Sequence, residues 1–286
     1  MLGRTRKGRC VMSIKNILVA YSGSDSSKSA VKLGKLMMNK YGAHLTGVLT
    51  YSPSEVGSTL RAYASAQLEG MIESAEKDHR EAIHAEFQEQ LSDCDAGRVH
   101  WVEAGGDVDF SLMEVARTYD IVLVGQYDGN RENRNLVPHP DVIALNTGRP
   151  VMVVPNDLPD TVLNDKAVLA WDGGKAAARA MADALDILET KSEIAVVSVG
   201  EASVEAIQKL DAVKDHLDRH GIVADAKIVP RSQRSIGKVL LETTEKHGAG
   251  LLIMGAYEHS KFFEDLWGGA TNSALSEANI PVLMSH

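Results

Sequence analysis

The chain carries one pattern twice. Asn16-Ile-Leu-Val-Ala-Tyr-Ser-Gly23 aligns without a gap against Lys166-Ala-Val-Leu-Ala-Trp-Asp-Gly173, 150 residues later. Each block is a short apolar run, an aromatic residue, a small polar or acidic residue and a glycine. Each leads into a helical stretch, residues 26–41 and 175–189. The copies also end alike: Asp120-Ile-Val-Leu-Val-Gly125 matches Gly250-Leu-Leu-Ile-Met-Gly255, and Pro150-Val-Met-Val-Val matches Pro281-Val-Leu-Met-Ser. Proline opens the last run in both, where its missing N–H costs least. A repeat of this size means that one supersecondary plan serves both halves. Between them lies Pro155-Asn-Asp-Leu-Pro159-Asp, polar and twice broken by proline, which suits a linker. The expected organisation is a disordered extension over 1–12, a first domain over 13–155, a linker over 156–163 and a second domain over 164–286.

Within each copy, short Val/Ile/Leu runs alternate with longer helical patterns. Strands are expected near 16–20, 45–49, 98–103, 120–124 and 150–154, then near 167–170, 194–199, 224–229, 250–254 and 281–284. In the second copy, helices are expected near 175–189, 202–219, 235–247 and 270–278. Continuous apolar strands separated by helices signal a parallel sheet covered on both faces. Right-handed crossovers then make each copy a doubly wound α/β domain. The runs at 150–154 and 281–284 are apolar and would otherwise be bare sheet edges, so they should pair the copies as an internal pseudo-dimer. Ligands bind such sheets at the carboxyl ends of the strands. Functional residues should therefore follow strands one and four.

Composition narrows the function. The net charge is −9, from 30 basic and 39 acidic residues, which argues against a broad nucleic-acid face because phosphate neutralisation needs a basic surface. The longest apolar runs, such as Leu251-Leu252-Ile253-Met254, fall far short of the ~20 residues a spanning helix needs. Only Cys10 and Cys94 are present, without a Cys-x-x-Cys. A disulfide framework and a cysteine-built zinc site are thereby excluded, and a cytoplasmic chain is expected. Arg4, Arg6, Lys7 and Arg9 lead the chain, but no apolar stretch of signal-peptide length follows them.

The residues with chemical promise cluster after strands one and four of the second copy. Gly255 ends strand four, and Gly268-Gly269 precede a helix carrying Asn272 and Leu275. Free N–H groups at a helix start, reinforced by its dipole, suit a phosphate. Asp172 can accept hydrogen bonds from ribose hydroxyls or an exocyclic amine, and Trp171 is placed to line a base pocket. The bland alternative is that the glycines serve only a tight turn and a close helix–sheet contact. Other signals point to structure. Ser22-Gly-Ser-Asp-Ser26-Ser27 falls one residue short of the loop of ATP pyrophosphatases and reads as a helix cap. His216 with His220, and His79 with His84, have no third ligand at metal spacing. Ser235-Ile-Gly-Lys238 lacks the first glycine of a P-loop. No acid–base pair stands out, so catalysis beyond weak ATP hydrolysis is not expected.

Met254-Gly255-Ala-Tyr-Glu-His-Ser-Lys, Gly268-Gly269-Ala-Thr, the ending Ile280-Pro-Val-Leu-Met-Ser-His, Trp171-Asp172-Gly173 and Arg234-Ser-Ile-Gly237 resemble the universal stress protein family. The resemblance covers both copies. It implies two tandem five-stranded parallel-sheet domains of adenine-nucleotide alpha-hydrolase-like architecture, joined through their last strands. It also implies binding of ATP or AMP, with or without Mg²⁺, at Ala170, Trp171, Asp172, Val199, Met254, Gly255, Gly268, Gly269, Ala270 and Thr271. Some family members bind ATP through Gly-x-x-Gly, nine residues, then Gly-Ser/Thr. Here Gly255 and Gly268 match, while Glu258 replaces the second glycine and Gly269 the Ser/Thr. A carboxylate at Glu258 would repel phosphates by ~1 kcal/mol or more. In the first copy Pro138-His-Pro140 replaces the glycine pair and Ser22 replaces the aspartate. Prolines lack the N–H donors a phosphate needs, so nucleotide binding is expected to be lost there. The leading expectation is a stress-response protein with nucleotide in the second domain and a structural or partner-binding first domain. A homodimer and a further protein partner are compatible with it. An ATP-pyrophosphatase-like adenylating enzyme and a nucleotide-free scaffold are the alternatives.

Overall fold

The computed structural model describes residues 14–52, 66–126, 136–159, 162–256 and 278–286. Copy one runs β1 (Asn16–Ala20), α1 (Asp25–Tyr41), β2 (His44–Tyr51), α2 (Ala66–Gln90), a 3-10 turn (Ala96–Arg98), β3 (Val99–Gly105), α3 (Val108–Ala116), β4 (Ile121–Gly125), α4 (Pro140–Asn146) and β5 (Val151–Val154). Copy two runs β6 (Lys166–Ala170), α5 (Lys175–Asp183), α6 (Leu185–Leu188), β7 (Glu193–Val199), α7 (Val204–Arg219), β8 (Ala224–Val229), α8 (Ile236–His247), β9 (Leu252–Gly255) and β10 (Val282–Ser285). The strands expected from the apolar runs are present, with β2 and β3 longer than expected. The stretch expected as one helix over 175–189 divides at Ala184, whose N–H is shared between the Ala180 and Met181 carbonyls at 3.0 and 3.2 Å. Residues 53–65 and most of the helix expected at 270–278 lie outside the described residues.

The strands join in one sheet, ordered β3-β2-β1-β4-β5-β10-β9-β6-β7-β8. Pairing is parallel within each copy and antiparallel at the seam, where Val282, Leu283 and Met284 face Val153, Met152 and Val151. The expected pairing of the last strands is therefore present. Because direction reverses at the seam, the carboxyl ends of the two sets of strands open at opposite edges of the sheet.

Side chains alternate across the strands as a pleat requires. Ile17, Val19 and Tyr21 enter one buried layer with Met37, Met38, Leu45 and Phe87, while Leu18 and Ala20 enter the other with Val122, Val124 and Ile143. Both layers cross the seam, one through Met152 and Leu283 and the other through Val151, Val153, Val282 and Met284. Local chemistry sets the helix ends. Ser24, Ser203 and Ser235 cap α1, α7 and α8 by accepting from the third following N–H. Gly42 and Gly248 close α1 and α8 at φ 63° and 64°, a region glycine enters without a Cβ penalty. Ser235 thus serves as a cap, with Lys238 N–H donating to its Oγ at 3.2 Å.

Candidate functional site

The carboxyl ends of β7, β6 and β9 lie side by side, with Ala170 paired to Val197 and Leu169 to Ile253. Ala170, Trp171, Asp172, Val199, Met254 and Gly255 are thereby brought to one sheet edge. Gly268, Gly269, Ala270 and Thr271, with Glu258, lie outside the described residues. Ala170 and Met254 are buried in the sheet, and Val199 is half-buried at the end of β7. The turn after β6 depends on Gly173 at φ 81°. Asp172 is exposed, and one carboxylate oxygen accepts from Gly174 N–H at 2.8 Å. Trp171 is half-buried against the apolar layer that also holds Leu210 and Val213 of α7, and its indole N–H is enclosed without a hydrogen-bond partner. Part of the ring packs on that layer.

Gly255 has a packing reason to be glycine. A Cβ there would stand 2.5 Å from the Ala176 carbonyl carbon and 2.6 Å from the Ala177 nitrogen, at the start of α5. Gly125 stands likewise in copy one, where a Cβ would lie 2.6 Å from the Ser26 carbonyl carbon. The close helix–sheet contact offered as the bland reading of these glycines is present in both copies.

The corresponding turn of copy one is built differently. Gly23 takes φ 78°, but the serines around it bond mainly to one another. Ser22 Oγ donates to Ser24 Oγ at 3.0 Å, Ser24 and Ser26 hydroxyls meet at 3.2 Å, and Ser27 Oγ donates to the Ser24 carbonyl at 2.8 Å. Ser22, Ser26 and Ser27 are all buried. Above them, Gln90 of α2 donates to the Tyr21 hydroxyl at 2.6 Å, and Tyr21 packs on Phe87 and Trp101. Burial, then the hydrogen bond and charge of Glu86, push the Tyr21 hydroxyl well above its usual range. Glu86 also pairs with Lys28 at 2.8 Å, and one of its oxygens stands 3.4 Å from where a Gly23 Cβ would be. On the far side, Pro140 opens α4 and His139 is tied to Asp109 through its backbone N–H at 2.7 Å and its ring at 2.9 Å.

In copy two the helix after the second strand carries a lysine to the equivalent turn. Lys209 of α7 lays its stem 3.4 Å from the position of a Gly173 Cβ, with its nitrogen at 4.0 Å. Its ammonium meets Glu205 at 2.7 Å and holds that carboxyl below its usual range. Sequence reasoning missed Glu86, Gln90 and Lys209. The spacing of buried Ile83 and Phe87 on α2 puts residues 86 and 90 on nearly the same helix face; no comparable signal marked Lys209. The histidine pairs are plain surface and packing features. His84 stacks on Trp101 at 4.6 Å, His216 and His220 lie 4.8 Å apart, and no cluster of three metal-ligating side chains occurs among the described residues.

The family model for the universal stress protein family matches residues 13–155, half of the chain. The chain belongs to the universal stress protein family. A universal stress protein from Archaeoglobus fulgidus DSM 4304 shares its structure at TM-score 0.69 and 16% identity, over 94% of this chain and 95% of that one. A functionally unknown protein from Pseudomonas aeruginosa PAO1 aligns at TM-score 0.59 and 13% identity, over 95% of this chain and 92% of that one. At such identities the likeness is one of fold, and it extends over both copies. No curated protein matches the chain. Among the described residues of this universal stress protein, no helix is long and apolar enough to cross a membrane.

Proposed function

We propose that this protein is a cytoplasmic stress-response protein that binds an adenine nucleotide, ATP or AMP, at the strand-end crevice of copy two. In this reading residues 164–286 form the nucleotide domain and residues 13–155 form a structural or partner-binding domain. The observation that carries it is the contrast between the two strand-one turns. The copy-two turn presents Asp172 to solvent, where a carboxylate can accept from ribose hydroxyls or an exocyclic amine. The copy-one turn is occupied by its own serines, with Tyr21, Glu86 and Gln90 packed above it. An incoming base there would have to displace buried, hydrogen-bonded groups, each leaving about 1–3 kcal/mol unsatisfied. The serine arrangement also works against the adenylating-enzyme alternative, because Ser24 Oγ already accepts from the Ser27 N–H, one of the free donors at the start of α1 that a phosphate would need. Gly255, without a Cβ, keeps the end of β9 against α5. In the same reading Gly268, Gly269, Ala270 and Thr271 supply phosphate donors, and Mg²⁺ offsets the charge of Glu258.

The test is direct. Protein purified without added nucleotide is denatured and the released small molecules are identified by mass spectrometry, then candidates are titrated against the folded protein. An adenine nucleotide that rebinds supports the proposal. No release and no binding of ATP or AMP contradicts it and favours a nucleotide-free scaffold.

A further inference from the structure

We infer that Lys209 is a charge selector for the copy-two crevice, placed so that the site favours an anionic nucleotide over an uncharged nucleoside. The inference rests on the nucleotide reading above and goes beyond it by naming a residue on α7, outside the strand ends and the glycine segment.

The two copies supply the argument. In each, the helix after the second strand passes over the glycine turn that follows the first. In copy one that helix offers Glu86, a carboxylate 3.4 Å from the Gly23 Cβ position, neutralised by Lys28 of α1. In copy two it offers Lys209, whose stem and ammonium line the Gly173 turn at 3.4–4.0 Å. The charge that the helix brings to the turn is reversed in sign. The partner of Lys209 also differs in kind from that of Glu86. Glu205 belongs to the same helix one turn earlier, with its side chain 78% exposed and that of Lys209 52% exposed. Such a solvent-exposed pair is weakly held, so it yields readily to a competing anion. A phosphate oxygen accepts a charge-assisted hydrogen bond from an ammonium roughly twice as strong as a neutral one. The flexible stem lets the ammonium leave Glu205 and reach a ligand beside Asp172 without moving the backbone.

The test uses the full chain with ATP and adenosine as probes, titrated against wild type, Lys209→Met and Lys209→Glu at low and high salt. Lys209→Glu should weaken ATP binding about tenfold at low salt and leave adenosine within about twofold, with the ATP difference shrinking as salt rises. Lys209→Met should fall between the two proteins for ATP. Unchanged ATP affinity, or an equal loss for ATP and adenosine, would overturn the role of Lys209. Wild type that binds neither probe would instead overturn the nucleotide reading itself. The side chain is exposed, so matched melting temperatures serve as the folding control.

Discussion

In copy one the space beside the strand-one turn is filled from within: Gln90 and Glu86 of α2 meet Tyr21, and Ser22, Ser24, Ser26 and Ser27 bond among themselves. In copy two the same turn carries an exposed Asp172, and α7 brings Lys209 beside it. The frame is otherwise shared. Both turns need a left-handed glycine, Gly23 or Gly173, and both fourth strands end in a glycine pressed on the first helix. The difference teaches which features serve the shared fold and which belong to one copy alone. A residue kept in both copies, such as Gly125 and Gly255, has a packing reason to be there. A residue found in one copy, such as Asp172, needs another reason.

The largest effect should come from the seam that makes the two copies one body. Leu283 is fully buried opposite Met152, so Leu283→Ala should cost about 2–5 kcal/mol. Hydrogen exchange should show protection falling in β5 as well as β10. A loss confined to copy two would break the picture of a shared core.

Next come the paired glycines. Gly125→Ala and Gly255→Ala should each destabilise by about 1–3 kcal/mol in denaturant titrations, since each new Cβ meets helix backbone that cannot rotate away. Similar losses sharpen the comparison. A Gly255→Ala protein of unchanged stability that no longer binds nucleotide would instead make this glycine a ligand residue and not a packing one.

A smaller effect is expected at Glu258, which stands where ATP-binding members of the family have glycine and lies outside the described residues. Glu258→Gly should raise ATP affinity more than AMP affinity, by about 1 kcal/mol at low salt, because the triphosphate carries more charge. Equal changes for the two ligands in calorimetry would remove repulsion from the account.

Much of this frame was legible in the sequence because it rests on short-range signals. The repeat, the apolar runs and Pro150 and Pro281 mark the strands, and pairing of the last strands follows from two apolar edges that need covering. The site was legible only in part. Asp172 and Gly255 could be singled out as candidates because they sit at fixed distances from strand ends. What α2 and α7 lay over the turns could not, since Glu86 and Lys209 act through tertiary placement. The packing of Trp171 was not legible either, because the layer its half-buried ring meets is assembled from distant parts of the chain. Ser235 near Lys238 lacks what a phosphate loop needs, and its hydroxyl caps α8.

The central claim is that copy two, and not copy one, holds the nucleotide. Calorimetric titration of ATP into wild type, Asp172→Ala and Ser22→Ala tests it most directly. The account predicts one site per chain, weakened by about 1–3 kcal/mol in Asp172→Ala and unchanged in Ser22→Ala. The reverse ranking, with binding lost in Ser22→Ala and kept in Asp172→Ala, would place the ligand on the serine turn and contradict the account.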